Sequence, residues 1–240
     1  LDFAEYIVEQ GATDIQNIFE LAYADQFYPY QYPVTKAYEM TSCFEGLLEY
    51  YFVTGEEKYK TSIVNYANKV LESDFTIIGC SGCTHELFDH SSVMQTEYSE
   101  TIMQETCVTV TLMQFFYQLN LLTGDSRYMD AFETSLYNGY LGAVNSGKAI
   151  DHTAQKMRPD YKIVPMPFDS YSPLTAGIRG NAIGGFMGFE NGRFYGCCIC
   201  IGAAGIGIAM KTSVLTSRNG IAVNLFEKGR VVQPLPSGKT

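Results

Sequence analysis

The sequence predicts a mainly α-helical fold, an array or toroid of helical hairpins that gives way to β structure near its C-terminal end. Three observations predict it. Apolar residues recur at helical spacing through most of residues 1–122. The segment Thr54-Gly55-Glu56-Glu57-Lys58-Tyr59 returns as Thr123-Gly124-Asp125-Ser126-Arg127-Tyr128, an offset of 69 residues. Beyond Ser213 the apolar period changes to two.

The first hairpin opens with Ala37 to Phe52, where Tyr38, Met40, Phe44, Leu47, Leu48 and Tyr51 fall close to i, i+3, i+4, i+7. Gly55 suits the left-handed residue that closes a helix, and the acidic Glu56-Glu57 suits the start of the next. That next helix, Glu56–Ser73, carries Tyr59, Ile63, Tyr66, Val70 and Leu71. In each copy an apolar helix precedes the joint (Phe44–Val53 and Val108–Leu122) and an amphipathic one follows it (Glu56–Ser73 and Asp125–Ala143). A hairpin cannot bury its apolar stripe alone, so hairpins pack side by side.

Between the two copies, residues 74–98 lack periodicity and read as a long polar loop holding Cys80, Cys83, His85, Glu86 and His90. A second loop, residues 144–176, holds Pro159, Pro165, Pro167 and Pro173. Ten of the 22 glycines then fall between Gly177 and Gly207. Cys197–Ser213 is an apolar helix candidate. Val214-Leu215, a turn at Asn219-Gly220, and Ile221, Val223 and Leu225 predict a β hairpin, before a loose end at Pro234–Thr240. The expected division is a helical part over residues 1–213 and the start of a β domain over 214–240.

Composition narrows the function. Lys and Arg number 16 against 26 Asp and Glu, a net charge of −10. A broad nucleic-acid or anionic-membrane surface needs the opposite balance. The longest apolar run, Cys197 to Met210, is 14 residues and too short to span a bilayer. The chain opens at Leu1 without a basic segment and apolar core, so no signal peptide is expected there. Seven cysteines are too few for a disulfide scaffold, and an odd number leaves at least one thiol free within the chain. The close pairs Cys80/Cys83 and Cys197/Cys198 point toward metal or thiol chemistry in a reducing compartment; the expected location is cytoplasmic, with the periplasm left open.

Four clusters can carry chemistry. In Gly196-Cys197-Cys198-Ile199-Cys200, two neighbouring thiolates can share one soft metal if the backbone turns, which Gly196 permits. A helix start there also favours thiolates. In Glu105-Thr106-Cys107, Glu and Cys are both zinc ligands, but i, i+2 residues share no helix face. They reach one ion only at a helix start or in an irregular segment. Cys80-Ser81-Gly82-Cys83 has structural-zinc spacing and needs a second pair, which Cys197/Cys198 would supply. His85-Glu86 with Asp89-His90 is not the H-E-x-x-H motif, and no G-x-S-x-G or P-loop occurs. Buried core thiols are the plain alternative for every cysteine.

Taken in order, these segments resemble glycoside hydrolase family 127, the bacterial β-L-arabinofuranosidase family. The resemblance runs through Gln104-Glu105-Thr106-Cys107-Val108-Thr109-Val110-Thr111, then Leu122 to Tyr128. It continues with Leu136-Tyr137-Asn138-Gly139-Tyr140-Leu141-Gly142-Ala143, Tyr171-Ser172-Pro173-Leu174, the Cys197-Cys198 pair, and Gly220 to Glu227. It implies an (α/α)6 barrel followed by β domains; family members are considerably longer than 240 residues. This chain would then be the later part of a barrel with the start of a β domain. The resemblance further implies a zinc ion (Zn2+) held by Glu105, Cys107, Cys197 and Cys198, with Cys197 as nucleophile of a retaining mechanism and Glu86 as general acid/base. It implies a carbohydrate substrate, an L-arabinofuranoside or related sugar, with no nucleic-acid or membrane partner, and it permits a homodimer. A non-catalytic helical module with a structural zinc is the rival reading.

The sequence departs from the family at three points. Ile199-Cys200 replaces the usual small or proline residues after the pair. Lys36 precedes Ala37-Tyr38 where relatives commonly place a histidine. No Trp is present, leaving Tyr and Phe to contact a sugar. Cys80 and Cys83 fall outside the implied ligand set and read as loop or core thiols.

Overall fold

The computed structural model describes residues 1–84, 86–97, 103–144, 167–169, 171–173, 197–217 and 220–232. Two short helices, α1 (Asp2–Gln10) and α2 (Ile18–Ala24), and a 3₁₀ turn at Pro29–Gln31 lead into the first hairpin. That hairpin is α3 (Ala37–Thr54) with α4 (Glu57–Ser73). A short helix α5 (Ser91–Met94) and strand β1 (Met103–Glu105) follow. The second hairpin is α6 (Thr106–Thr123) with α7 (Ser126–Thr134). Strand β2 (Tyr171–Pro173), helix α8 (Cys197–Thr212) and strands β3 (Val214–Ser217) and β4 (Gly220–Val223) complete the described chain. The glycine-rich stretch before Cys197 and the tail from Pro234 lie outside the described residues. No described helix is long and apolar enough to cross a membrane.

The repeated T-G-[DE] segment is one joint used twice. Gly55 and Gly124 are left-handed, at φ 70° and 73°, a conformation in which a side chain is strained. In each joint the threonine hydroxyl donates back to a carbonyl one turn earlier, Thr54 to Tyr50 at 3.0 Å and Thr123 to Leu119 at 2.7 Å. The same oxygen accepts from the backbone N–H two residues on, that of Glu56 or Asp125. Asp125 then caps α7 by accepting from the Arg127 N–H at 3.0 Å.

The helices of the second hairpin differ most in their burial. Helix α6 is buried around most of its girth, through Val108, Leu112, Phe115, Phe116 and Leu119 and through Thr106, Thr109 and Thr111 as well. Helices α4 and α7 bury one stripe each, Tyr59-Ile63-Tyr66-Val70 and Tyr128-Phe132. Helix α3 packs beside α6 and α4. Their junction is aromatic. The Phe44 and Tyr66 rings stack at 3.7 Å and Tyr66 leans on Phe115 at 5.7 Å, while the Tyr66 hydroxyl bonds Thr41 at 2.9 Å. Helix α8 lies along α6 in the same direction. Its first residue, Cys197, reaches Cys107, and Lys211 near its end sits over the Tyr117 ring at 5.1 Å.

Two expectations need correction, and a third gains detail. The helix predicted over Asp125–Ala143 gives way after Thr134 to a π-helical turn, Ser135–Tyr140. The widened turn turns Gly139 toward two neighbours: its N–H donates to the Ile78 carbonyl at 2.9 Å and its carbonyl accepts from the Gln104 amide at 2.8 Å. A Cβ at 139 would lie 3.1 Å from the Ile78 oxygen, so glycine eases that approach. Gly220, expected in the hairpin turn, opens β4 and pairs with Ser217.

The third point concerns the long polar loop after α4, whose described residues are packed. Asp74 is fully buried, and its Oδ1 accepts from the backbone N–H groups of Asp89, His90 and Ser91 at 2.8 to 3.1 Å. Ser73 donates to its Oδ2 at 2.6 Å, and Ser81 donates to its carbonyl. One carboxylate thus gathers both ends of the loop. The sequence shows it only as one more acid at a helix end.

Replacing Asp74 with Ala removes the acceptor for three N–H groups, and unfolding free energy should fall by about 3 kcal/mol or more; a urea titration followed by circular dichroism measures it. Glu45 on α3 generates a second expectation. Its Oε1 is buried without a hydrogen-bond partner among the described residues, and burial, then the Glu49 charge, pushes its carboxyl up to about 7. A raised folded-state value means that the group's stability is present below about 4.5 and is lost as pH rises through about 7. Glu45→Gln should therefore raise the melting temperature at pH 8 by several degrees, roughly 2 kcal/mol, and much less at pH 5. An equal gain at both pH values would contradict the burial account.

Candidate metal centre

The centre is built where two helices begin. Glu105 ends β1 in extended conformation, φ −97° and ψ 131°, and Thr106 begins α6. That change of backbone lets residues at i, i+2 point to one place, which a continuous helix forbids. The junction is pinned on several sides. Thr106 Oγ1 donates to the Asp169 carbonyl at 2.5 Å, and Thr109 Oγ1 donates to the Glu105 carbonyl at 3.0 Å. Strand β1 pairs antiparallel with β2, with Glu105 opposite Tyr171. The Gln104 amide holds the Gly139 carbonyl of the π turn. Cys197 and Cys198 form the opening of α8, the helix end that favours thiolates. Gly202 and Gly205 let α8 sit close, since a Cβ would come within 2.7 Å of Phe168 at the first and 2.5 Å of Tyr140 at the second.

The result is a cluster of Glu105, Cys107, Cys197 and Cys198 whose donor atoms all lie within 4.8 Å of one another. Cys107 Sγ is 2.9 Å from Cys198 Sγ and 3.3 Å from Cys197 Sγ, and Cys198 Sγ is 3.7 Å from Glu105 Oε1. The cysteines are free thiols. Glu105, Cys107 and Cys198 are buried, at 4%, 2% and 1% exposure, whereas Cys197 is exposed. Glu105 Oε2 is buried with no hydrogen-bond partner among the described residues. Burial, then the Cys198 charge, pushes Glu105 up to about 9. The contact with Cys198, then burial, drives Cys107 well above the usual thiol range, and burial raises Cys197. Four acidic groups crowd together and oppose one another's ionisation.

The donor set fits a metal ion. Three thiolates and a carboxylate are ordinary zinc ligands, and Zn–S bonds of about 2.3 Å in a tetrahedron set sulfurs about 3.8 Å apart, so the cluster would widen by roughly 1 Å or less. A divalent cation would also reverse the opposed ionisation and supply the partner that Glu105 Oε2 lacks.

Glu86 stands beside this cluster. It is left-handed at φ 67°, and its carbonyl accepts from the Ala37 N–H at 2.9 Å. Both carboxylate oxygens are engaged: Lys36 Nζ donates to Oε2 and the Tyr171 hydroxyl donates to Oε1. Because Tyr171 pairs with Glu105, the carboxyl group is tied to the strand that carries a candidate ligand. Tyr38, in the first turn of α3, is raised by burial and then by the charge of Cys107, which sets it close to the thiols.

The other clusters are separate. Cys80 and Cys83 are buried, Cys80 Sγ lies 3.0 Å from Thr76 Oγ1, and burial raises both thiols. Among the described residues they do not join Cys197 and Cys198, so the all-cysteine arrangement is not formed. His90 stacks flat on Tyr30 at 4.6 Å. His85 lies outside the described residues. Cys200 is exposed on α8. Two contacts escaped sequence reasoning: Lys36 was visible only as a departure from the family pattern, and Tyr171 carried no role. Their meeting with Glu86 depends on two strand-like pairings across distant segments, for which the local sequence holds no signal.

Comparison with known proteins agrees with this geometry. The profile described as "Beta-L-arabinofuranosidase, GH127 catalytic domain" matches residues 1–151, a stretch that includes Glu86, Glu105 and Cys107. No curated protein sequence matches significantly. Among solved structures, the GH127 β-arabinofuranosidase BT3674 superposes with a TM-score of 0.58 at 19% identity, covering 94% of this chain and 32% of its own. A GH127 β-L-arabinofuranosidase from Geobacillus stearothermophilus gives 0.59 at 16% identity, with 94% and 36% covered. A further glycoside hydrolase gives 0.58 at 17%, with 92% and 36% covered. The chain thus shares their fold over about a third of their length. With the profile match extending over more than half of the chain, it belongs to the β-L-arabinofuranosidase GH127 catalytic-domain family.

Proposed function

We propose that the chain carries the reaction centre of a retaining glycoside hydrolase acting on an L-arabinofuranoside-type carbohydrate. The observation that carries this reading is the asymmetry of the cluster: three donors are buried while Cys197 is open to solvent. A thiolate open to solvent can meet a substrate, which the three buried donors cannot. On this reading α3–α4 and α6–α7 are successive hairpins of the part of an (α/α)6 barrel that residues 1–213 supply, and β3–β4 begin a β domain over 214–240.

Glu105, Cys107, Cys197 and Cys198 would hold zinc. When bound, the ion keeps coordinating thiols deprotonated at neutral pH and offsets their mutual repulsion. The Cys197 thiolate attacks the anomeric carbon; a C–S bond forms as the C–O bond to the leaving group breaks. Glu86 delivers a proton to the departing oxygen. In the second half, Glu86 takes a proton from water, the water oxygen attacks the same carbon, and the C–S bond breaks to return the thiolate. Two displacements at one carbon retain its configuration, as in glycosidases that use a carboxylate nucleophile. Buried Cys107 and Cys198 stay on the far side of the centre from substrate.

Two outcomes test this. Purified chain should contain about one zinc per molecule by elemental analysis, and Glu105→Gln or Cys107→Ser should lower that content sharply. Cys80→Ser with Cys83→Ser should leave it unchanged; loss of zinc in the Cys80/Cys83 variant would refute the ligand set. Hydrolysis of an aryl β-L-arabinofuranoside should fall to background in Cys197→Ser. Glu86→Gln should lose about 10²–10⁴-fold, less with the best leaving groups, which need no proton. Stoichiometric zinc without turnover would favour the structural-zinc module instead.

A further inference from the structure

We infer that Lys36 is a positioning residue of this site: with Tyr171 it holds both carboxylate oxygens of Glu86, fixing the direction in which that group exchanges its proton. The inference rests on the reading of Glu86 as acid/base.

An ion pair between flexible surface side chains orders little. This one is different because the backbone beneath it is already paired. The Phe88 N–H donates to the Thr35 carbonyl at 2.6 Å, and the Ala37 N–H donates to the Glu86 carbonyl at 2.9 Å. Lys36 faces Leu87 in an antiparallel bridge between these two bonds. Lys36 is also the residue that precedes the first turn of α3, so its backbone cannot drift from that helix. Glu86 is constrained from its own side as well. It holds a left-handed conformation unfavourable to a glutamate, and a Cβ on Gly82 would lie 3.3 Å from its Cα. The chain keeps this strained residue in place with two donors aimed at one carboxylate.

The two donors come from different elements. Tyr171 arrives on β2, in register with Glu105. Lys36 arrives at the head of α3, two residues before Tyr38, which sits close to Cys107 and Cys197. The hydrogen bond to Glu86 also raises the Lys36 ammonium above its ordinary value, so the positive charge is secure. Lys36 is about two-fifths exposed and Glu86 about one-quarter, as 41% and 23% of their side-chain surfaces. The pair therefore sits nearer solvent than the buried Glu105, Cys107 and Cys198 do. An acid/base must present one oxygen to the reacting atom and keep its aim through two half-reactions. A bridge from each oxygen to a fixed element supplies that aim.

A zero-length carbodiimide coupling followed by peptide mass spectrometry reads the pair directly. Lys36 and Glu86 should be joined through an amide, and the linked peptide should vanish in Lys36→Met and in Glu86→Gln. Glu86 joined to a different lysine, or left unlinked while other contacting pairs react, would overturn the pairing. A double-mutant cycle in melting temperature adds a readout independent of activity: the combined Lys36→Met, Glu86→Gln variant should shift less than the two single shifts together, and strict additivity would also overturn it. For hydrolysis, Lys36→Met should lower kcat by about 10- to 100-fold with KM changed by less than about threefold and zinc content unchanged. Lys36→Arg, which keeps the charge, should recover most of the loss. Parental kcat in Lys36→Met, or a change confined to KM, would refute positioning. Absence of turnover in the parent would fault the glycosidase reading alone, leaving the coupling and the cycle to judge the pair.

Discussion

Four acidic side chains share a space less than 5 Å across, at the points where α6 and α8 begin. Left to themselves they repel, and the deeper three are cut off from water. Much of the surrounding structure holds this unfavourable meeting together. Strand β1 fixes Glu105 through its pairing with β2. The π turn after α7 receives the Gln104 amide. Two glycines on α8 allow the helix to press against Phe168 and Tyr140 closely enough to bring its first two cysteines to Cys107. A fold that ordered four clustered acids, three of them buried, for no partner would forfeit stability with no return. A bound cation turns the same convergence into an attraction, and metal binding then becomes part of folding.

The hairpins make such precision available at low local strain. Helix α6 is buried on nearly every side, so its position is set by packing rather than by surface charge. The aromatic junction of Phe44, Tyr66 and Phe115 locks α3 to α4 and α6. Helix beginnings can then serve as the working end while the T-G-[DE] joints close the opposite end. Asp74 performs a parallel task for the segment that carries Glu86, because it draws three backbone N–H groups onto one oxygen.

Much of this was legible in the sequence, and the limits are instructive. The hairpins and their joints could be read because they are local: an apolar period, a threonine, a glycine and an acid in order. The helix ends at Gly55 and Gly124 fell where the sequence put them. The four clustered side chains were named through family resemblance, since spacing alone left Glu105 and Cys107 on different faces of a helix. Their convergence requires a strand-to-helix change at one residue, and no propensity announces it. The π turn was hidden because it needs Ile78 and Gln104, each more than thirty residues from Gly139, to draw one glycine out of a regular helix. The loop after α4 looked polar and aperiodic because the order of its described residues comes from a single buried carboxylate.

The charge balance gives Lys36 a second physical meaning. With Glu86, the site gathers five acidic groups. On the proposed reading a divalent ion offsets two of those charges, and an ammonium fixed beside Glu86 offsets a third. An imidazole at the same position would carry its charge only near and below its own pKa. Lysine supplies it throughout the neutral range, and its longer stem can reach Glu86 from the head of α3 while the backbone bridge keeps its base fixed. A lysine in this place therefore holds the carboxylate constantly across the neutral range, at a pair that is itself partly open to solvent.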